Sequence, residues 1–169
     1  MDAKTYYNSI AKGYSNLYHK EQKNKINLIK NQFPIQGTVL DLACGDGILN
    51  QFLSKNVKLY SFDISDELLK LNSNKKENKF QGNSTKLPFK SNKFDAICSF
   101  TALQDIEDLE NTFKEMKRVL KKEGQIIISF LKISKKKDKI IKLIENNFNT
   151  KKRIEEEKDL IFICENKNN

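Results

Sequence analysis

Three acids and two glycines between positions 38 and 63 give the first indication of chemistry: Asp41, Gly45, Asp46, Gly47 and Asp63. The glycines follow an apolar run, Thr38-Val39-Leu40, and precede Ile48-Leu49 with Phe52-Leu53 one turn on. A strand, a glycine turn and a helix in that order is how open α/β sheets build a nucleotide site at the carboxyl ends of their strands. Glycine accepts unusual dihedrals and lets a ligand approach where a Cβ would block it. A nucleoside-containing ligand is therefore expected over Gly45 and Gly47. Asp63 ends the next apolar run, about 20 residues beyond the turn, where a carboxylate accepts hydrogen bonds from both hydroxyls of a ribose. The alternative for Asp63 is an acid capping the helix that begins near Ser65.

The turn also says which nucleoside fits badly. A dinucleotide fingerprint needs a third glycine three residues after Gly47, and Asn50 stands there. Asp41 and Asp46 would repel a pyrophosphate, whereas a ligand with an amine and a positive centre suits them.

The elements that position these residues follow from hydrophobic periodicity. Residues 1–33 read as a helical preamble with Tyr6, Tyr7, Ile10, Ala11, Tyr14, Leu17 and Tyr18 on one face and a weak point at Gly13. These tyrosines either pack the preamble onto the body or form a lid over the ligand. A second helical piece has Ile26, Ile29 and Phe33 inward and lysines outward, and Pro34 and Gly37 stop it. Strands are expected at 38–40, 57–62, 79–81, 94–100 and 125–131, with short helices at 48–54 and from Ser65. Leu87-Pro88-Phe89 reads as an extended crossover. Residues 107–120 form an amphipathic helix whose end is marked by Lys121, Lys122 and Gly124. Helix 135–147 and a strand pair at 148–157 and 160–165 complete the chain before a polar tail from Asn166. The expectation is one α/β domain over 1–169, with a cofactor-binding core at 38–131 and a C-terminal helix and strand pair at 135–165. Alternating strands and helices imply a mostly parallel sheet with helices on both faces.

Bulk composition narrows the class. The chain of 169 residues is 38% hydrophobic and 31% charged, ordinary for a globular domain. The opening segment lacks the apolar core of a signal peptide and no run is long enough to span a bilayer, so a cytoplasmic protein is expected. A net charge of +9 invites a nucleic-acid partner, yet the only arginines are Arg118 and Arg153. Arginine is the preferred fork for phosphates and bases, so an arginine-poor basic chain is a weak reader of nucleic acid. Cys44, Cys98 and Cys164 are far apart and His19 has no companion ligand, so neither a metal site nor a disulfide framework is expected.

The order of these segments resembles a known family. VLDLACGDG resembles the first motif of class I S-adenosylmethionine-dependent methyltransferases of the small ubiquinone-biosynthesis-like group (methyltransferase type 11), and YSFDIS their acid-ending second strand. GNSTKLPFKSNKFDAICSF and FKEMKRVLKKEGQIIIS resemble the third-strand turn through the fifth strand, and YYNSIAKGYSNLY the N-terminal segment. The resemblance implies a Rossmann-like fold with a seven-stranded, mostly parallel sheet and a C-terminal antiparallel strand pair. It implies S-adenosylmethionine as cofactor, with Asp41 and the Ala43–Gly47 backbone holding its methionine part and Asp63 its ribose. Asn83 and Ser84 would flank the adenine, Phe100 would line the reactive side, and Tyr14 would close over it. Ala43 replaces the common first glycine, and Asn83 replaces an acid often found there.

Methyl transfer is an in-line displacement, so positioning supplies much of the catalysis, and a general base is needed only if the acceptor must lose a proton. Gln104 and Asp105 are placed to reach the acceptor; alternatively Asp105 caps a helix starting near Ile106. His19 is a further, weaker candidate base. No Asn-Pro-Pro-Tyr-like motif follows the fourth strand and no cysteine stands in a Pro-Cys context, which argues against amide, exocyclic-amine and pyrimidine-carbon acceptors. A small-molecule acceptor is the first expectation. The others are an RNA or translation-protein acceptor served with an activating partner subunit, and a non-catalytic cofactor-binding scaffold.

Overall fold

The computed structural model describes residues 2–30 and 32–167, apart from the side chain of Glu77. Successive apolar side chains in β1 (Thr38–Leu42) point to opposite faces of a sheet covered on both sides. Val39 joins a core with Ile26, Ile29, Leu59 and Ile127, while Leu40 and Leu42 join one with Phe113, Met116, Ile140 and Ile144. β2 (Lys58–Asp63), β3 (Lys79–Gln81), β4 (Phe94–Phe100) and β5 (Leu120–Leu131) run parallel to β1. β6 (Phe148–Glu155) and β7 (Asp159–Asn166) are antiparallel to each other, and β7 is antiparallel to β5. The seven strands lie in the order β3-β2-β1-β4-β5-β7-β6. This reversal between β1 and β4 leaves a crevice at their carboxyl ends, the place where open α/β sheets bind ligands.

The preamble is two helices, α1 (Ala3–Ile10) and α2 (Tyr14–Lys30), joined by the 3₁₀ turn Ala11–Gly13, so the break falls at Gly13 as the sequence suggests. Asp2 caps α1 by accepting from the Thr5 N–H at 2.8 Å. Two details of the preamble differ from expectation. Tyr6 and Leu17 are exposed, at 43% and 60%, because the 3₁₀ turn at Ala11–Gly13 breaks the helical period that would keep them on one stripe. Lys25 is fully buried among the inward residues Gln22, Ile26 and Ile29, although it reads as one of the outward lysines.

Ser65 caps α3 (Asp66–Leu71) through its hydroxyl, which accepts from the Leu68 N–H at 3.1 Å. Residues 48–54 form only a 3₁₀ turn, Ile48–Phe52, because the chain is already extended at Leu53 and leaves no room for a further turn. The segment from Leu87 to Phe89 is an irregular crossover, bent at Pro88 and Phe89 rather than extended as expected, and held from the side by Arg118, whose guanidinium donates to the Phe89 and Leu87 carbonyls at 2.7 and 3.1 Å. α4 (Leu109–Val119) is capped by Asp108, and α5 (Lys137–Asn147) buries Ile140 and Ile144. Lys121, Lys122 and Gly124 do not end the helix; they lie within β5. Leu120 pairs with Phe94 in the core immediately after the helix, and the chain then bulges to bring Gln125 opposite Ala96. Likewise Asn166 is still in β7, while the remaining tail residues 168 and 169 lie outside the described residues. Among the described residues no helix is long and apolar enough to cross a membrane.

Candidate functional site

At the carboxyl ends of β1, β2 and β4 lies a cavity of about 430 Å³, walled by the glycine turn, Asp63, the turn after β3, the loop after β4 and, from above, α1 and Tyr14. The preamble therefore walls the cavity through Asp2, Ala3, Lys4, Tyr7 and Tyr14 as well as packing on the body. Tyr7, Tyr14 and Tyr18 form a ladder of tilted rings with centroids 6.3 and 4.8 Å apart. Burial keeps the Tyr7 and Tyr14 phenols far above their ordinary range, helped by Asp105 for Tyr7 and by Asp63 and Asp46 for Tyr14, so both remain protonated donors.

The two glycines serve different ends. Gly45 has φ +57° and faces the cavity; a Cβ there would lie 2.8 Å from the Tyr14 hydroxyl. Gly47 has φ +81° and faces away, its missing Cβ replaced by the Asn72 amide, whose atoms lie 2.4 Å from the Cβ position. Ala43 also lines the cavity and sits at φ +56°, where an L-residue is strained. Ala43→Gly is expected to raise unfolding stability by about 1 kcal/mol, read as a higher urea midpoint at unchanged slope. An unchanged midpoint means that the turn stores no strain there.

Asp63 is 5% exposed and lines the cavity. One carboxylate oxygen accepts from the Gly45 N–H and the other from the Ser65 N–H, both at 2.8 Å. It therefore braces the glycine turn and keeps lone pairs for a further donor, a combination that the two sequence readings treated as alternatives. Burial pushes its pKa up, and these backbone bonds hold it back. Asp41, the fourth residue of β1, is 3% exposed and lies outside the cavity wall. Its carboxyl is pushed up to about 8, first by burial and then by the nearby Asp63 and Asp46 charges.

Across the cavity, Asn83 and Ser84 line the wall after β3. The Asn83 carbonyl accepts from the Thr85 N–H and hydroxyl at 3.0 and 2.9 Å, and Ser84 meets the Thr112 hydroxyl at 2.9 Å. Phe100, Thr101 and Ala102 form the opposite wall, and Asp105 lies at its rim with Ile106, Glu107 and Asp108. Asp105 is in the 3₁₀ turn Leu103–Asp105 and caps no helix; Asp108 has that role. Its Oδ2 accepts from the Tyr7 hydroxyl at 2.8 Å and the Gln104 amide at 3.0 Å. Gln104 is turned away from the cavity and also donates to the Thr101 carbonyl at 2.7 Å. His19 is not in the wall; its Nε2 meets Asp46 Oδ2 at 2.6 Å and ties α2 to the glycine turn.

Sequence reasoning missed several of these contacts. Asn8 reaches from α1 to accept from the Ser65 hydroxyl at 2.6 Å, and Tyr7 reaches Asp105; both span long separations that no local pattern signals. The cavity has the features that S-adenosylmethionine needs: a Cβ-free floor at Gly45, a carboxylate with spare lone pairs at Asp63 and polar groups at the far wall. No group of three or more His, Cys, Asp or Glu side chains among the described residues is arranged to hold a metal ion.

Known proteins share this architecture. An uncharacterized protein of Methanocaldococcus jannaschii is 32% identical over 151 residues, which is 88% of this chain and 59% of that protein. A ubiquinone/menaquinone biosynthesis C-methyltransferase of Enterobacter sp. is 36% identical over 103 residues, covering 54% of this chain and 41% of that enzyme. The chain spans about half the length of the curated relatives it matches. In fold it is similar to the Haloferax volcanii chain solved in complex with the Trm112 methyltransferase activator, with a TM-score of 0.76 and 15% identity over 99% of each chain. The family profile described as a methyltransferase domain matches residues 40–128. That match covers more than half of the 169 residues, and the chain belongs to this family, the class I S-adenosylmethionine-dependent methyltransferases.

Proposed function

We propose that the chain transfers the methyl group of S-adenosylmethionine to a small-molecule acceptor. The observation that carries this reading is the enclosure of the cavity: about 430 Å³ under a helical lid, within the range of small-molecule sites. Among its described lining residues are Asp2, Asp105, Glu107 and Asp108 against Lys4, with Lys136 Nζ on the Ile106 carbonyl beside them, a net acidic entrance that suits a polyanion poorly.

When bound, the cofactor supplies an activated methyl on a positive sulfur; the chain's own residues supply placement. Asp63 accepts the ribose hydroxyls while it braces Gly45, and the backbone around Gly45 together with Asp41 favours the cationic methionine end. Asn83 and Ser84 flank the adenine. Phe100 and Ala102 bound the side from which the acceptor attacks in line, and the lid excludes water from that path. Asp105 is the better candidate base of the adjacent pair, because its Oδ1 has no partner among the described residues while Gln104 spends its amide N–H groups inside the protein.

A partner-assisted enzyme acting on RNA or a translation protein is the second reading, favoured by the net charge of +9 and by a fold neighbour solved with an activator. Incubation with methyl-labelled S-adenosylmethionine and fractionated cell extract tests these readings. Label is expected in the small-molecule fraction. Label in RNA or protein favours the second reading, and none in any fraction, with cofactor binding intact, favours a scaffold.

A further inference from the structure

Thr101 follows the last residue of β4 with φ +52°, a left-handed conformation that is a clear outlier for a β-branched residue. It lines the cavity between Phe100 and Ala102, so its backbone direction sets how the wall turns from the strand toward Asp105. Every polar group of Thr101 is held. Its N–H donates to the Ser129 carbonyl and hydroxyl at 2.9 and 3.0 Å, and its carbonyl accepts from Gln104 at 2.7 Å. Its hydroxyl accepts from Lys25 Nζ and donates to Asp159 Oδ2 at 2.7 Å.

Lys25 and Asp159 are both 0% exposed and pair at 2.9 Å, from the middle of α2 to the first residue of β7. Asp159 Oδ1 is buried without a partner among the described residues. An ion pair this deep, with one oxygen unsatisfied, is a poor stability device, since two apolar residues of similar volume would often serve the fold as well or better. Two costly features, the buried pair and the strained backbone, meet at one hydroxyl on the cavity wall. Beyond it the hydrogen bonds continue from the Thr101 carbonyl through Gln104 to Asp105 and the lid tyrosine Tyr7.

We propose that Lys25 and Asp159 are positioning residues for the acceptor side of the cavity: their pair pins Thr101 in the left-handed conformation and thereby fixes the wall from Phe100 to Asp105. The proposal rests on the methyl-transfer reading above and separates this wall from the cofactor cradle at Gly45 and Asp63. Neither member of the pair lines the cavity, and the group on the acceptor wall that they touch is Thr101.

The test uses the full chain, the double variant Lys25→Met/Asp159→Leu, and the same variant with Thr101→Gly. In the double variant, affinity for S-adenosylhomocysteine by calorimetry stays within about threefold of wild type. Label transfer to the extract fraction that wild type methylates falls by about tenfold or more, and exchange of the Thr101 amide quickens by about a hundredfold. Adding Thr101→Gly restores at least half of the lost transfer, because glycine adopts φ +52° without a pin. A merely structural pair gives a parallel loss of cofactor affinity and transfer, with no rescue by glycine, and that result overturns the proposal, as does wild-type transfer by the double variant. Should the double variant fail to fold, Asp159→Asn, which keeps the acceptor for Thr101 but removes the charge, is read in the same assays and is expected to show a smaller loss of transfer at unchanged cofactor affinity. A wild-type chain that labels no fraction overturns the function proposed above, while amide exchange still decides whether the pair holds Thr101.

Discussion

Asp63→Ala is expected to weaken S-adenosylhomocysteine binding by about 3 kcal/mol, roughly 150-fold, and to lower unfolding stability by about 1–3 kcal/mol. Both effects follow from the double use of the carboxylate. Its removal leaves the Gly45 and Ser65 N–H groups without their acceptor in a buried setting, and it takes away the group that would receive the ribose hydroxyls. The two contributions separate with a 2′,3′-dideoxyribose analogue of the ligand. Wild type should bind the analogue more weakly than the parent by about 2 kcal/mol, and the Asp63→Ala variant should bind both alike. Equal discrimination in both proteins would reduce Asp63 to a brace of the glycine turn.

The second large effect is one of pH, and it centres on Asp41. With its carboxyl raised from an ordinary 3.8 to about 8, the folded ligand-free chain holds a proton that the unfolded chain gives up. Between those values the native state binds more protons, so stability falls as pH rises, by at most about 1.4 kcal/mol per pH unit. The lowered carboxyls of Asp95 and Glu115 act in the opposite sense, at pH below their ordinary values and outside this window. A cationic methionine end placed near Asp41 favours its charged form. Cofactor affinity should therefore rise with pH between 6 and 8, approaching tenfold per unit, and calorimetry at pH 7 in buffers of different ionisation enthalpy should show release of about one proton. Asp41→Asn should abolish the proton release and reduce the loss of stability toward pH 8 to what the raised Asp63 carboxyl contributes in the same sense. Affinity independent of pH, with no proton released by wild type, removes Asp41 from the cofactor site.

What the sequence revealed and what it hid follow from the range of the interactions. Strands β1, β2 and β4 and the second half of β5 are legible because each is a short apolar run followed by or ending in small or polar residues, and the Asp63 spacing is local to one strand–turn–helix unit. The Ser65 cap was legible for the same reason. The end of α4 was not, since Lys121-Lys122 followed by Gly124 is a good local stop signal that the pairing of Leu120 with Phe94 overrides. Asp105 and Asp108 are equally good caps by type, and only the packing of Leu109 and Phe113 selects the second. Lys25 sits in a lysine-rich helix and its partner is 134 residues away, so nothing near it in sequence marks it as buried. Gly45 and Gly47 look interchangeable until Tyr14 and Asn72 are placed, one over the cavity and one behind it.

The basic surplus acquires a different meaning at the border of the sheet. β6 is an outermost strand, and after the buried Phe148 its residues Asn149 to Arg153 are exposed, among them Lys151, Lys152 and Arg153. A long edge strand offers an open row of peptide groups on which another chain could add, and such addition is how soluble sheets begin to aggregate. Closely spaced positive side chains repel an identical strand approaching that row, and the opposite border, β3, is only three residues long. Such repulsion calls for charge without the planar recognition geometry of arginine, so lysine meets it fully, although here Lys151 and Arg153 are partly offset by Glu165 and Glu155.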